Sequence, residues 1–163
     1  MDTTAAVLER YSEGAQAHQA DLCCPIDYDS KLLEALPPEI IQRDYGCGDP
    51  SRYVQPGDTV LDLGSGGGKI CFMAAQIVGS SGHIIGIDMN DDMLALARQY
   101  QQPMQERFDT HIDFVKGHIE DLKLDVEAMA AWQTENPDAD EQAVAKQTGI
   151  IRQQTPLIEN NSI

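Results

Sequence analysis

The chain has 163 residues, 42% of them hydrophobic, and a formal net charge of −16 at neutral pH. That length suits one domain of globular composition, and the charge repels nucleic acid, whose affinity rests on Lys and Arg at phosphates, so a small-molecule substrate is favoured. No apolar run is long enough to cross a membrane and no leader pattern opens the chain, so the expectation is a cytoplasmic protein with no membrane partner, its four cysteines kept as thiols.

Residues 3–19 predict an amphipathic helix with Val7, Leu8 and Tyr11 on one side. Cys23-Cys24-Pro25 interrupts it. Residues 31–36 and 39–45 predict short helical pieces separated by Pro37-Pro38. Gly46, Gly48 and Pro50 make the next stretch a loop, with Cys47 inside it.

Residues 59–63 are short and apolar after the turn signal Pro56-Gly57-Asp58, which predicts a buried strand. Gly64, Gly66 and Gly68 follow at alternate positions, so the backbone can turn sharply and a ligand can approach with no Cβ in the way. The nicotinamide pattern GxGxxG fails, because its last glycine would fall at Lys69. The P-loop fails too, because Ile70 stands where Ser or Thr must hold magnesium. What fits is D-x-G-x-G-x-G, from Asp62 to Gly68. Residues 70–78 then predict a helix, apolar on most faces and therefore buried.

Residues 84–88 predict a second strand that ends in Asp88, 20 residues after Gly68. An acid there can bond both ribose hydroxyls of an adenosine-containing ligand. Asn90 is a good N-cap, and Asp91 and Asp92 suit the positive end of the following helix dipole. Met93, Leu94, Ala97 and Tyr100 supply its buried face, and Pro103 is expected to end or kink it. Residues 112–115 predict a third strand. Strands alternating with helices predict an α/β fold, a parallel sheet with helices on both faces. Residues 125–132 and 140–148 predict two more helices around Asn136-Pro137-Asp138, in a segment rich in acid, Ala and Gln. That segment reads either as a lid over the site or as a solvated surface insertion. No C-x-x-C pair exists, and His18, His83, His111 and His118 show no ligand spacing, so no metal is expected.

LDLGSGGGK (residues 61–69) followed by GIDM (residues 86–89) resembles the first two motifs of the AdoMet-dependent class I methyltransferases. Gly117-His118-Ile119-Glu120-Asp121-Leu122 resembles their third. YGCG (residues 45–48), the glycine motif, Gly82-His83-Ile84 and GIDM together resemble the arsenite methyltransferases, over roughly residues 20–122. The resemblance implies a Rossmann-like fold of about seven strands. Only three are legible, so the chain is expected to be the front part of a longer enzyme, ending at Asn160-Asn161-Ser162-Ile163 where the fourth strand would begin. Residues 1–55 would form an N-terminal helical cap and substrate segment. Residues 56–124 would form the cofactor-binding half, and residues 125–163 an acidic helical insertion, longer than the connection the family implies.

The implied cofactor is S-adenosyl-L-methionine. Backbone N–H groups around Gly64, Ser65, Gly66 and Gly68, at a helix start, suit its carboxylate. Asp62 suits its ammonium, Asp88 its ribose, and Met89, Ile119 and Glu120 its adenine. The implied substrate is trivalent arsenic, carried as an arsenite–thiol complex. Arsenic(III) is thiophilic, so thiolates are the ligands it needs, by the softness argument used for metals. Cys47 matches a family cysteine, Cys23 and Cys24 lie near another with different spacing, and a further one falls beyond residue 163. Cys71 sits on the buried helix and reads as core; Cys47 reads equally as a small buried hydrophobe. The resemblance implies direct in-line methyl transfer, in which the enzyme mainly supplies proximity and orientation. Two alternatives stand beside this reading: a methyltransferase for another small molecule, such as a quinone or sterol-like lipid, and a catalytically inactive fragment that keeps part of the cofactor pocket.

Overall fold

The computed structural model describes residues 3–16, 28–46 and 48–159. The helices are α1 (Thr3–Gln16), α2 (Ser30–Glu34), α3 (Pro38–Gln42), α4 (Lys69–Val78), α5 (Asp91–Phe108), α6 (Val126–Glu135) and α7 (Glu141–Gln154). The strands are β1 (Thr59–Leu63), β2 (His83–Asp88) and β3 (His111–Lys116). They fall into two compact units, Met1–Val115 and Lys116–Ile163.

The first unit is built on a parallel sheet in the order β1-β2-β3. β1 pairs with β2 so that Thr59 stands opposite His83 and Leu63 opposite Ile87. These short apolar runs form strands because turn chemistry bounds them: Gly57 takes a φ of 85° before β1, and Gly79 a φ of 66° before β2. α4 buries Cys71, Phe72, Met73, Ala74, Ala75 and Val78. Phe72, Met73, Ile84, Leu94 and Ile112 are fully enclosed, and Phe72 meets Phe114 edge to face at 5.5 Å between ring centroids. Burying a side chain of this size contributes about 1.5–3 kcal/mol, so these residues set the sheet–helix geometry.

Side chains of α5 also bind the backbone of β3. Gln105 accepts from the Ile112 N–H at 2.8 Å, and Gln101 donates to the Ile112 carbonyl at 2.7 Å. Arg98 donates twice to the Phe114 carbonyl. The hydroxyl of Thr110 donates to the carbonyl of Ala75 at 2.9 Å, which ties the start of β3 to α4.

Several expectations need correction. β1 forms as a strand but is not buried: Thr59 and Leu63 are exposed and Val60, Leu61 and Asp62 are half-buried, because β1 lies at the edge of the sheet. Pro103 neither ends nor breaks α5, which continues to Phe108. Pro103 and Gln99, one helical turn before it, both face solvent, so the Gln99 carbonyl that loses its N–H partner can be hydrated. Met104, on the inner side, is buried and holds the helix down. The stretch after Gly48 is not all loop: Pro50–Tyr53 forms a 3-10 turn, capped by Asp49 accepting from Ser51 N–H at 3.0 Å. The two short pieces run shorter than expected, as α2 and α3. Of the expected first helix, residues 17–19 lie outside the described residues.

The second unit carries α6 and α7. Met129 and Ile151 are its buried apolar residues among those described, and the Thr148 hydroxyl lies 3.8 Å from the Met129 sulfur. Arg152 binds Asp121 at 2.5 and 3.0 Å, which holds that carboxyl below its usual value. The backbone at Leu122 closes on Ile158 at 2.9 Å.

Candidate functional site

In open parallel sheets ligands bind beyond the carboxyl ends of the strands. Asp62, the glycine loop, Asp88 and Met89 gather there in the first unit. The N–H groups of Gly64 and Ser65 both donate to the Ile87 carbonyl, at 2.8 and 2.9 Å. Asp88 then fixes the middle of the loop: its Oδ2 accepts from Gly66 N–H at 2.8 Å. Its Oδ1 accepts from Asn90 N–H, also at 2.8 Å. Asn90 in turn caps α5 by accepting from Asp92 and Met93 N–H, each at 3.0 Å. One carboxylate therefore joins the loop after β1 to the helix after β2.

The loop takes this path through positive φ, 77° at Gly64, 52° at Gly66 and 87° at Gly68. At Gly68 there is also no room, since a Cβ would stand 2.7 Å from Phe114 Cζ. At Gly64 a Cβ would meet nothing within 4 Å, so the loop is open to a ligand there. The N–H of Gly68 donates to Ser65 at 2.9 Å. The four loop donors at Gly64, Ser65, Gly66 and Gly68 thus bond within the chain. A ligand carboxylate would need other donors.

The residues present fit an adenosine-type ligand. A carboxylate offers about four acceptor positions. Each oxygen of Asp88 holds one N–H, which leaves an acceptor position on each for a pair of adjacent hydroxyls. The Ser65 hydroxyl is buried with no partner among the described residues.

Asp62 is half-buried on β1, and Cys71 donates to its Oδ2 at 3.3 Å. Burial pushes the Asp62 carboxyl above its usual value; the charges of Asp44 and Asp88 add to this, and the Cys71 bond opposes it. Burial also pushes the Cys71 thiol well up, so it remains an S–H donor. A nearby cation would stabilise the charged form of this carboxyl.

Sequence reasoning missed a second cluster. Lys69, the first residue of α4, is 4% exposed. It forms an ion pair with Asp44, and its Nζ lies 3.4 Å from the centroid of the Tyr28 ring. The only signal was a lysine entering an otherwise apolar helix, since a buried cation requires a partner. Asp44 stands 25 residues away, so local pattern could not identify it.

Cys23, Cys24 and Cys47 lie outside the described residues. Ile119 and Glu120 belong to the second unit. Ile119 is 58% exposed, and Glu120 is exposed with its Oε1 3.8 Å from His118 Nδ1. Met89 is half-buried directly after Asp88.

The family model described as a methyltransferase domain matches residues 55–153. An arsenite methyltransferase of Aquipseudomonas alcaligenes is 44% identical over 92 residues, covering 56% of this chain and 27% of the relative. A 2-phytyl-1,4-naphtoquinone methyltransferase of Trichormus variabilis is 35% identical over 71 residues, covering 44% of this chain and 30% of the relative. The crystal structure of an arsenic(III) S-adenosylmethionine methyltransferase from Chlamydomonas reinhardtii superposes with a TM-score of 0.53 at 30% identity, covering 60% of this chain and 34% of that one. The chain thus matches only about a quarter to a third of the length of these relatives.

Proposed function

This chain belongs to the methyltransferase-domain family, and on that premise we propose that it binds S-adenosyl-L-methionine and serves methyl transfer to a small substrate, trivalent arsenic. The observation that carries the reading is Asp88, which locks the glycine loop through Gly66, anchors the start of α5 through Asn90, and keeps an acceptor position on each oxygen. When bound, the cofactor supplies a methyl group activated on a sulfonium. The chain supplies position. Asp88 accepts the ribose hydroxyls, and Asp62 faces the ammonium. Met89 takes the adenine. Residues 56–124 would form the cofactor half, residues 1–55 the substrate segment and residues 125–163 an acidic helical insertion.

The Asp62 assignment has a stability signature. A carboxyl whose folded value is raised costs stability wherever it is ionised in both states. The cost is full above the folded value and disappears below the usual 3.8. Asp62→Asn keeps an acceptor for Cys71 and removes the charge. It is expected to raise the melting temperature at pH 7, with the gain shrinking as pH falls through the folded value, and to weaken AdoMet in the same preparation. A variant that melts at or below the parent at pH 7 would remove the buried-charge argument.

For the substrate, Cys47 with Cys23 or Cys24 would hold As(III), a soft centre matched to thiolates. Arsenite added to reduced protein is expected to protect Cys47 from alkylation, followed by peptide mass spectrometry. Buried Cys71 serves as the internal control. Unchanged alkylation of Cys47 would sink the arsenic reading. The quinone alternative, favoured by the naphthoquinone methyltransferase match, would then lead.

A further inference from the structure

We propose that His83, His111 and Asp113 form a binding site for a borderline divalent transition-metal ion, with Zn2+ as its occupant, at the end of the sheet opposite Asp88. Each residue offers one ligand atom, and the three atoms lie within 4.8 Å of one another. Asp113 Oδ2 stands 2.8 Å from His83 Nε2 and 3.1 Å from His111 Nε2. The two imidazoles face each other at 4.5 Å between centroids, tilted by 39°. Around tetrahedral zinc, with bonds of about 2.0–2.1 Å, neighbouring ligand atoms sit roughly 3.3 Å apart. The observed spacings therefore need only small side-chain rotations to admit the ion.

Strand register explains why sequence spacing showed no ligand pattern among the histidines. His83 opens β2 and His111 opens β3, and the two strands are neighbours in the sheet. Asp113 is two residues along β3 and so shares a face with His111. Residues 28 and 30 apart in sequence become one cluster. The backbone beneath it is held: His83 N–H donates to Asp58 O at 3.1 Å, Thr110 is bonded to Ala75, and Ile112 to Gln105. A rigid frame of this kind is what a metal site needs.

The ligand set indicates the ion. Two imidazoles and one carboxylate suit zinc, nickel or copper and disfavour magnesium and calcium, which prefer all-oxygen shells. Three protein ligands leave a fourth position open. The side chains are 33%, 63% and 40% exposed, so an ion can reach them from solvent, and the chain's net charge of −16 raises the local cation concentration. The site is about 17 Å from Asp88 at roughly 3.3 Å per strand residue and is independent of the cofactor reading. Its effect would be to clamp β2 to β3.

The test is a Zn2+ titration of the full chain carrying Cys23→Ser, Cys24→Ser and Cys47→Ser, because thiols take the same ion. One equivalent is expected to shift the ring resonances of His83 and His111 in nitrogen-15 NMR and to raise the melting temperature. His83→Ala and His111→Ala should each weaken binding at least tenfold, measured by competition with a chromophoric chelator. His118→Ala should leave it unchanged. Ring shifts confined to His18 or His118, or equal affinity in the His83 and His111 variants, would overturn the proposal.

Discussion

Gly68→Ala is expected to destabilise the chain by roughly 2–5 kcal/mol, summing two separate costs. The first is conformational: a φ of 87° is left-handed, which costs a residue with a Cβ about 1–2 kcal/mol. The second is steric. The new methyl would stand 2.7 Å from Phe114 Cζ and 3.1 Å from Phe72 Cε2. Both rings are buried in the core, so neither can swing into solvent, and overpacking of this kind costs about 1–3 kcal/mol. Gly64→Ala separates the terms. Its φ of 77° carries the same strain, but its Cβ meets nothing within 4 Å. Urea denaturation of both variants should place Gly68→Ala well below Gly64→Ala. Equal losses would mean that the Phe114 contact relaxes freely.

Asp88→Ala is expected to weaken AdoMet binding by about 1.5–3 kcal/mol, the scale of hydrogen bonds to a charged group, or roughly 10- to 150-fold in affinity. The variant also strips Gly66 N–H and Asn90 N–H of their acceptor, so both the loop and the start of α5 lose an anchor. Asp88→Asn is not a mild control, because its amide would point donors at one of two positions already facing N–H groups. Titration calorimetry on parent and variant, with circular dichroism to establish folding, decides the matter. Equal affinities would take Asp88 out of the site.

Features that depend on a few consecutive residues were readable in the sequence. β1 and the start of α4 follow from one apolar run, one turn and one glycine series, and the Asn90 cap follows from the acids after it. Asp88 was found because the separation from loop to acid in a strand–helix–strand unit is itself local. Features that depend on tertiary neighbours were not readable. That α5 runs on past Pro103 was not readable, because it depends on which face of α5 meets water. Lys69 with Asp44, and His83 with His111, are pairs that only chain folding brings together. The 3-10 turn at Pro50–Tyr53 was hidden among residues that serve loops equally well.

Asn90 also has consequences for how the protein opens. Its Nδ2 donates to the Leu8 carbonyl and to the Ser12 hydroxyl, each at 3.0 Å, while its oxygen caps α5. Among the described residues, Ala15 packs in a small group with Tyr45 and Met93, separate from the main core. Among the described residues, α1 is thus fastened near the carboxyl end of β2 by these polar links and a small apolar group. Release of such an element costs a fraction of the global unfolding free energy. Amide hydrogen exchange is therefore expected to be faster in α1 than in the strands β1 and β2, whose bonds lie within the sheet.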